Sequence, residues 1–132
     1  MKKIILILIH LIIGIICIFF FPIINRASRK SLIKSWSSYL LKIFNINLIV
    51  NHDLKKILAK KNYLIVSNHI SWLDIFVINT AHPVTFVAKQ SISEWPILNW
   101  LVKASETIFI DRKKISKIKE TTKEIEDYLE NK

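Results

Sequence analysis

A histidine and an aspartate stand with four residues between them in Asn68-His69-Ile70-Ser71-Trp72-Leu73-Asp74, just after the apolar run Tyr63-Leu64-Ile65-Val66. Imidazole titrates close to neutral pH, so His69 is the candidate general base for an attacking hydroxyl. A carboxylate on the other ring nitrogen, here Asp74, would fix the tautomer and stabilise the imidazolium. The spacing restricts how the two can meet. On one continuous helix a five-residue offset points side chains roughly 140° apart, at about 100° per residue. The pair therefore requires His69 in a loop and Asp74 in the first turn or two of a helix. Ser71 is a good N-cap for such a helix, and the apolar stretch Ile75 to Ile78 follows it. Ser71-x-x-Asp74 is equally a capping box, in which Asp74 only satisfies the helix start, and the spacing leaves both readings open.

The elements around this junction alternate as in an α/β domain. Strands are predicted at Tyr63 to Ser67, Val84 to Ala88 (beyond Pro83) and Thr107 to Ile110. Between them come helices at Trp72 to Asn79 and at Ile97 to Ala104, the latter entered through Pro96. Lys114 to Glu130 reads as a long helix, because Ile115, Ile118, Thr122, Ile125 and Leu129 recur at intervals of three and four. Upstream, Ile46 to Val50 reads as a short strand and Asp53 to Lys61 as a short helix capped by Asn51 or Asp53.

The chain begins differently. Ile4 to Ile24 is 21 residues without a formal charge, interrupted only by His10, Gly14 and Pro22. At about 1.5 Å per residue it spans roughly 30 Å, the thickness of bilayer hydrocarbon. A cleaved signal peptide is disfavoured, because the run is long and no small-x-small site follows. His10 is expected to face lipid or the interface, with no catalytic task. Ser31 to Phe44 is amphipathic, with Leu32, Ile33, Trp36, Tyr39, Leu40, Ile43 and Phe44 on one stripe. It fits an interfacial helix and a core-packing helix equally well.

Charge follows the same division. Residues 1–61 carry eleven Lys and Arg against one acid, Asp53, whereas residues 62–132 are nearly balanced. The whole excess of +10 thus flanks the hydrophobic segment. A basic collar suits an anionic cytoplasmic leaflet, and the residues after the run favour its C-terminal side in the cytoplasm. Nucleic acid is the rival partner for a basic chain, but no nucleic-acid motif is present. The lone Cys17 excludes an intrachain disulfide and fits a reduced compartment. His52 and His82 match no ligand spacing, so no metal site is expected. The expected organisation is a membrane-anchoring helix at 1–25, a basic amphipathic region at 26–61 and an α/β domain at 62–132.

Three blocks together carry a family resemblance. His69 and Asp74 resemble the HX4D motif of glycerolipid acyltransferases, in particular the bacterial 1-acyl-glycerol-3-phosphate acyltransferases. Phe86-Val87-Ala88-Lys89, with Trp95-Pro96-Ile97-Leu98 after it, resembles the family's next strand and loop. Ile108-Phe109-Ile110-Asp111-Arg112 resembles its second motif. The resemblance implies an N-terminal membrane helix followed by a partial acyltransferase-type sheet flanked by helices. It implies transfer of a fatty acyl group from acyl-CoA or acyl carrier protein to a lysophospholipid such as 1-acyl-glycerol-3-phosphate, giving phosphatidate at the inner (cytoplasmic) membrane. No cofactor beyond the thioester co-substrate is implied. The substrate's alcohol would stand where a serine hydrolase has its serine, so no acyl-enzyme is required.

His69 and Asp74 are then the expected catalytic pair, with Arg112 and, less directly, Lys89 as contacts for the acceptor phosphate. A guanidinium grips phosphate with two parallel hydrogen bonds. Trp72, Phe76 and Trp95 are candidates for lining an acyl groove or, alternatively, for the core. The family's third motif, a Pro-Glu-Gly-Thr-like turn, is absent, so the chain reads as the N-terminal part of such an enzyme. The alternative expectation is an inactive remnant or a partner subunit. Glu106 stands where the pattern has a glycine before the second motif, Asn99 replaces another glycine, and Gln90-Ser91 replaces an acidic-leading pair.

Overall fold

The computed structural model describes residues 2–50, 63–95, 99, 102, 105–111 and 115–131. The helices expected at 53–61 and 97–104 lie wholly or mostly outside them. The chain divides into two compact units, Met1–Val84 and Thr85–Lys132.

In the first unit, helix α1 (Lys2–Phe20) and helix α2 (Arg26–Ile43) form a hairpin. Pro22 has no N–H to continue α1, and the Asn25 side chain starts α2 by accepting the Ser28 N–H at 2.9 Å. The helices lock where His10 and Gly14 meet Trp36. The Trp36 indole Nε1 donates to the His10 carbonyl at 3.0 Å, and the two rings stack at 4.4 Å and 9°. Gly14 leaves only enough room for that indole: a Cβ there would stand 2.8 Å from Trp36 Cζ2. His10 is 1% exposed. It is thus an interhelical packing residue, and the expectation of a lipid-facing imidazole is corrected by the tryptophan folded over it.

Along the rest of α1, Ile4, Ile5, Leu8, Ile12, Ile16, Phe19 and Phe20 are exposed. The opposite side of the hairpin builds the core of this unit. Leu40, Leu41 and Ile43 are buried, each worth about 1.5–3 kcal/mol relative to exposure. Helix α2 ends in a Schellman turn: Ile46 N–H reaches Leu41 O at 2.9 Å, Asn45 N–H reaches Lys42 O at 3.0 Å, and Asn45 takes φ 58°.

Helix α3 (Asp74–Ala81) packs on α2. Phe76 packs on Trp36 at 5.4 Å, while Trp72 meets Phe44 edge-on at 5.9 Å and keeps 56% of its surface exposed. Buried Asn79 accepts the Val84 N–H at 3.3 Å and holds the segment leaving the helix. Two expected strands are corrected here. Residues 46–50 and 63–67 form neither helix nor sheet; their apolar, β-branched composition is not matched by a paired backbone.

In the second unit, strands β1 (Val87–Lys89) and β2 (Ile108–Ile110) pair in parallel, with Val87 opposite Ile108 and Lys89 opposite Ile110. A 3₁₀ turn, Gln90–Glu94, leaves β1, and helix α4 (Ile115–Asn131) packs on β2. Ile108 is buried at this contact, as is Thr121 of α4. Tyr128 of α4 hydrogen-bonds Thr85 Oγ1 and donates to Glu106 Oε2 at 3.4 Å. Among the described residues the sheet is this two-stranded parallel pair, with α4 packed on it.

Candidate active site

The chain turns sharply between the irregular segment 63–70 and α3, and one carboxylate oxygen holds the turn. Asp74 Oδ2 accepts the Ile70 N–H at 2.7 Å, the Ser71 N–H at 2.9 Å and lies 3.1 Å from His69 Nδ1. The Ser71 hydroxyl in turn accepts the Leu73 N–H at 3.2 Å. The helix begins two residues later than expected, with Leu73 at the cap position and Ser71 in the preceding turn. The correction has a local cause. The carboxylate pulls residues 70 and 71 back toward the helix start, so the chain cannot become helical until it has passed Trp72.

The two readings of Asp74 therefore coincide. The carboxylate caps the turn through backbone N–H groups, and the same oxygen receives the histidine. Those two backbone hydrogen bonds, Ser71 first and Ile70 next, hold the Asp74 carboxyl below the ordinary carboxylate value, and His69 adds to the effect. Asp74 is thus an anion throughout the neutral range. With Nδ1–H directed at an anion, the tautomer that satisfies the contact leaves the Nε2 lone pair on the far side of the ring. The His69 side chain is 68% exposed and that of Asp74 29%. The imidazole is accordingly oriented from behind and open in front, as a general base must be.

The remaining expected site residues are placed less completely. Lys89 is exposed at the end of β1, in the second unit. Arg112 lies outside the described residues. Just before it, Asp111 shares a groove of about 160 Å³ with Gln90, Phe109, Glu120, Thr121 and Glu124. The Ser71 N–H contact is the one the capping-box spacing offered, whereas the Ile70 N–H contact was not read in the sequence. Glu106, expected to replace a glycine, adopts φ 56°, the left-handed conformation for which glycine is suited.

Comparisons with known proteins give the chain's family. The family model described as acyltransferase matches residues 48–132, which contain the whole His69–Asp74 turn. The 1-acyl-sn-glycerol-3-phosphate acyltransferase of Neisseria gonorrhoeae is 45% identical over 49 residues, 37% of this chain and 19% of that protein. The lyso-ornithine lipid O-acyltransferase of Rhodobacter capsulatus is 44% identical over 48 residues, 36% of this chain and 17% of that protein. The 1-acyl-sn-glycerol-3-phosphate acyltransferase of Saccharomyces cerevisiae is 36% identical over 94 residues, 66% of this chain and 31% of that protein. The matches therefore span about a fifth to a third of these relatives' own length. No solved structure matches significantly. A histidine set in a carboxylate-held turn, within a family match covering more than half of its length, shows that this chain belongs to the acyltransferase family.

Proposed function

We propose that the chain takes part in acyl transfer from a thioester, acyl-CoA or acyl carrier protein, to the hydroxyl of a lysophospholipid. The observation that carries this reading is the shared Asp74 oxygen, which fixes both the turn and the His69 ring. In the step, Nε2 of His69 accepts the acceptor's hydroxyl proton as the oxygen attacks the thioester carbon. Asp74 stabilises the imidazolium through Nδ1–H. The C–S bond then breaks, and the departing thiolate recovers the proton from Nε2. Neither a serine nucleophile nor an acyl-enzyme enters the balance. Arg112 and Lys89 are proposed to meet the acceptor phosphate.

The acceptor we favour is 1-acyl-glycerol-3-phosphate, giving phosphatidate, in line with the names of the Neisseria and yeast relatives. The Rhodobacter relative's name supports a lyso-ornithine lipid as the second candidate. Membranes carrying the chain, supplied with both acceptors and labelled acyl donor, distinguish them by the mass of the product. Labelled phosphatidate supports the first reading; labelled ornithine lipid replaces it.

The hairpin bears on anchoring. Trp36 lies opposite His10, near the middle of α1, so α2 runs back alongside it. Were α1 to cross the bilayer upright, exposed Lys34 and the other lysines of α2 would be drawn toward hydrocarbon. Each would cost about 2.5–3.5 kcal/mol near the centre. We therefore read the hairpin as seated in one leaflet, with the exposed face of α1 in the acyl region and the lysines of α2 at headgroup level.

A further inference from the structure

A second feature of the first unit is independent of the reaction proposed above. A groove of about 320 Å³ runs along α2 and the end of α3, lined by Lys34, Ser35, Ser38, Tyr39, Lys42 and Thr80. The α2 residues stand at intervals of one, three, one and three, so they form one stripe with a lysine at either end and hydroxyls between. Both lysines are exposed, and among the described residues neither has a carboxylate partner. The single described carboxylate of this unit, Asp74, is engaged at the opposite end of α3. The Thr80 hydroxyl is buried without a hydrogen-bond partner, a state that buried polar groups seldom keep.

Among the described residues the charge at this end of the helix is uncompensated. His82, which caps α3, is held below its ordinary value first by burial and then by Lys30 and Lys34. Two ammonium groups and several hydroxyls, with no carboxylate among them, suit a dianionic phosphate monoester. Along α3, Thr80 at the far end of the groove stands roughly 9 Å from Asp74 at about 1.5 Å per residue.

We propose that this groove binds the phosphate monoester headgroup of an anionic lipid, such as phosphatidate, as a ligand separate from the reaction centre. The lipid source, in preference to free phosphate, follows from the stripe's position on the helix that pairs with apolar α1. Its exposed isoleucines would lie in the same leaflet as the lipid's acyl chains.

The test uses the whole chain in phosphatidylcholine nanodiscs doped with phosphatidate or, at matched surface charge, with phosphatidylglycerol. Lipid retained after extraction is counted by native mass spectrometry. The expected result is preferential retention of phosphatidate, falling about fivefold for each of Lys34→Gln and Lys42→Gln. Tyr39→Phe, which keeps the charge, should lower it about two- to tenfold. His69→Ala should retain phosphatidate as the parent does. Equal retention of the two lipids would reduce the groove to diffuse surface charge and overturn the proposal, as would full retention by the double lysine variant. Displacement by soluble glycerol phosphate alone would assign a free phosphate instead, and loss in His69→Ala would move the lipid to the reaction centre; each overturns it.

Discussion

Glu106 offers a clean test of the backbone geometry because two substitutions separate its conformation from its contacts. It sits at φ 56° between Ser105, whose hydroxyl bonds Val102 O and Thr107, and the start of β2. For an L-residue the left-handed conformation costs about 1–2 kcal/mol, whereas glycine enters it freely. The carboxylate offsets part of this by accepting the Tyr128 hydroxyl at 3.4 Å, a contact worth about 0.5–1.5 kcal/mol at best. Glu106→Ala keeps the strain and loses the contact, so it should destabilise the chain by about 1 kcal/mol. Glu106→Gly loses the same contact but removes the strain, so the two terms nearly cancel.

The decisive quantity is the difference between the variants. Glycine should exceed alanine by about 1 kcal/mol at this position, the reverse of the order seen in an ordinary helix interior. Chemical denaturation in a neutral detergent, followed by circular dichroism, measures it through the midpoint at constant m. Alanine equal to or more stable than glycine would refute the assignment of a strained turn at the site where the family pattern has a glycine.

Two other perturbations follow from the first unit. Gly14→Ala gains about 1 kcal/mol of helix propensity but drives a methyl to within 2.8 Å of the indole of Trp36. Overpacking of this kind costs typically 1–3 kcal/mol, so the hairpin should loosen on balance, read as a red shift of tryptophan emission; unchanged emission and stability would contradict the contact. The Asp74 carboxyl is held below its ordinary value of 3.8 by Ser71 and Ile70, so its stabilising contribution is complete above that value and is lost as pH falls through the lower folded value. Unfolding measured over a pH series should thus show acid destabilisation confined to below about pH 4 from this group, and Asp74→Asn should flatten that limb; an equal acid slope in both chains would sink the point.

What could be read in the residues was chiefly what is local. His69 and Asp74 lie five positions apart, and the geometry that lets them meet is dictated by the turn between them. Helices α3 and α4 and strand β2 fell within two residues of their expected bounds, whereas α2 begins five residues earlier than its amphipathic stripe and β1 forms three residues later than the strand expected after Pro83. Residues 46–50 and 63–67 were misread for a different reason. Their composition fits a strand, but a strand exists only when a second backbone supplies hydrogen bonds, and composition does not report that partner. The lock of His10 and Gly14 on Trp36 is non-local, across 26 positions for its hydrogen bond. A signal was available: the chain's single glycine lies in an apolar helix, where small residues admit close partners. The phosphate contacts proposed for Arg112 and Lys89 rest on the family pattern, since Arg112 lies outside the described residues.

The central claim is that His69, oriented by Asp74, removes the acceptor's proton during acyl transfer. It is tested most directly by membranes containing the chain, given lysophosphatidate and labelled acyl-CoA or acyl carrier protein, beside membranes carrying His69→Ala. A positioned general base contributes about 10²–10⁴-fold, so the account predicts labelled phosphatidate from the parent and a fall of at least about a hundredfold in the variant. Equal rates from the two, or no transfer by the parent above the variant's background, would contradict it.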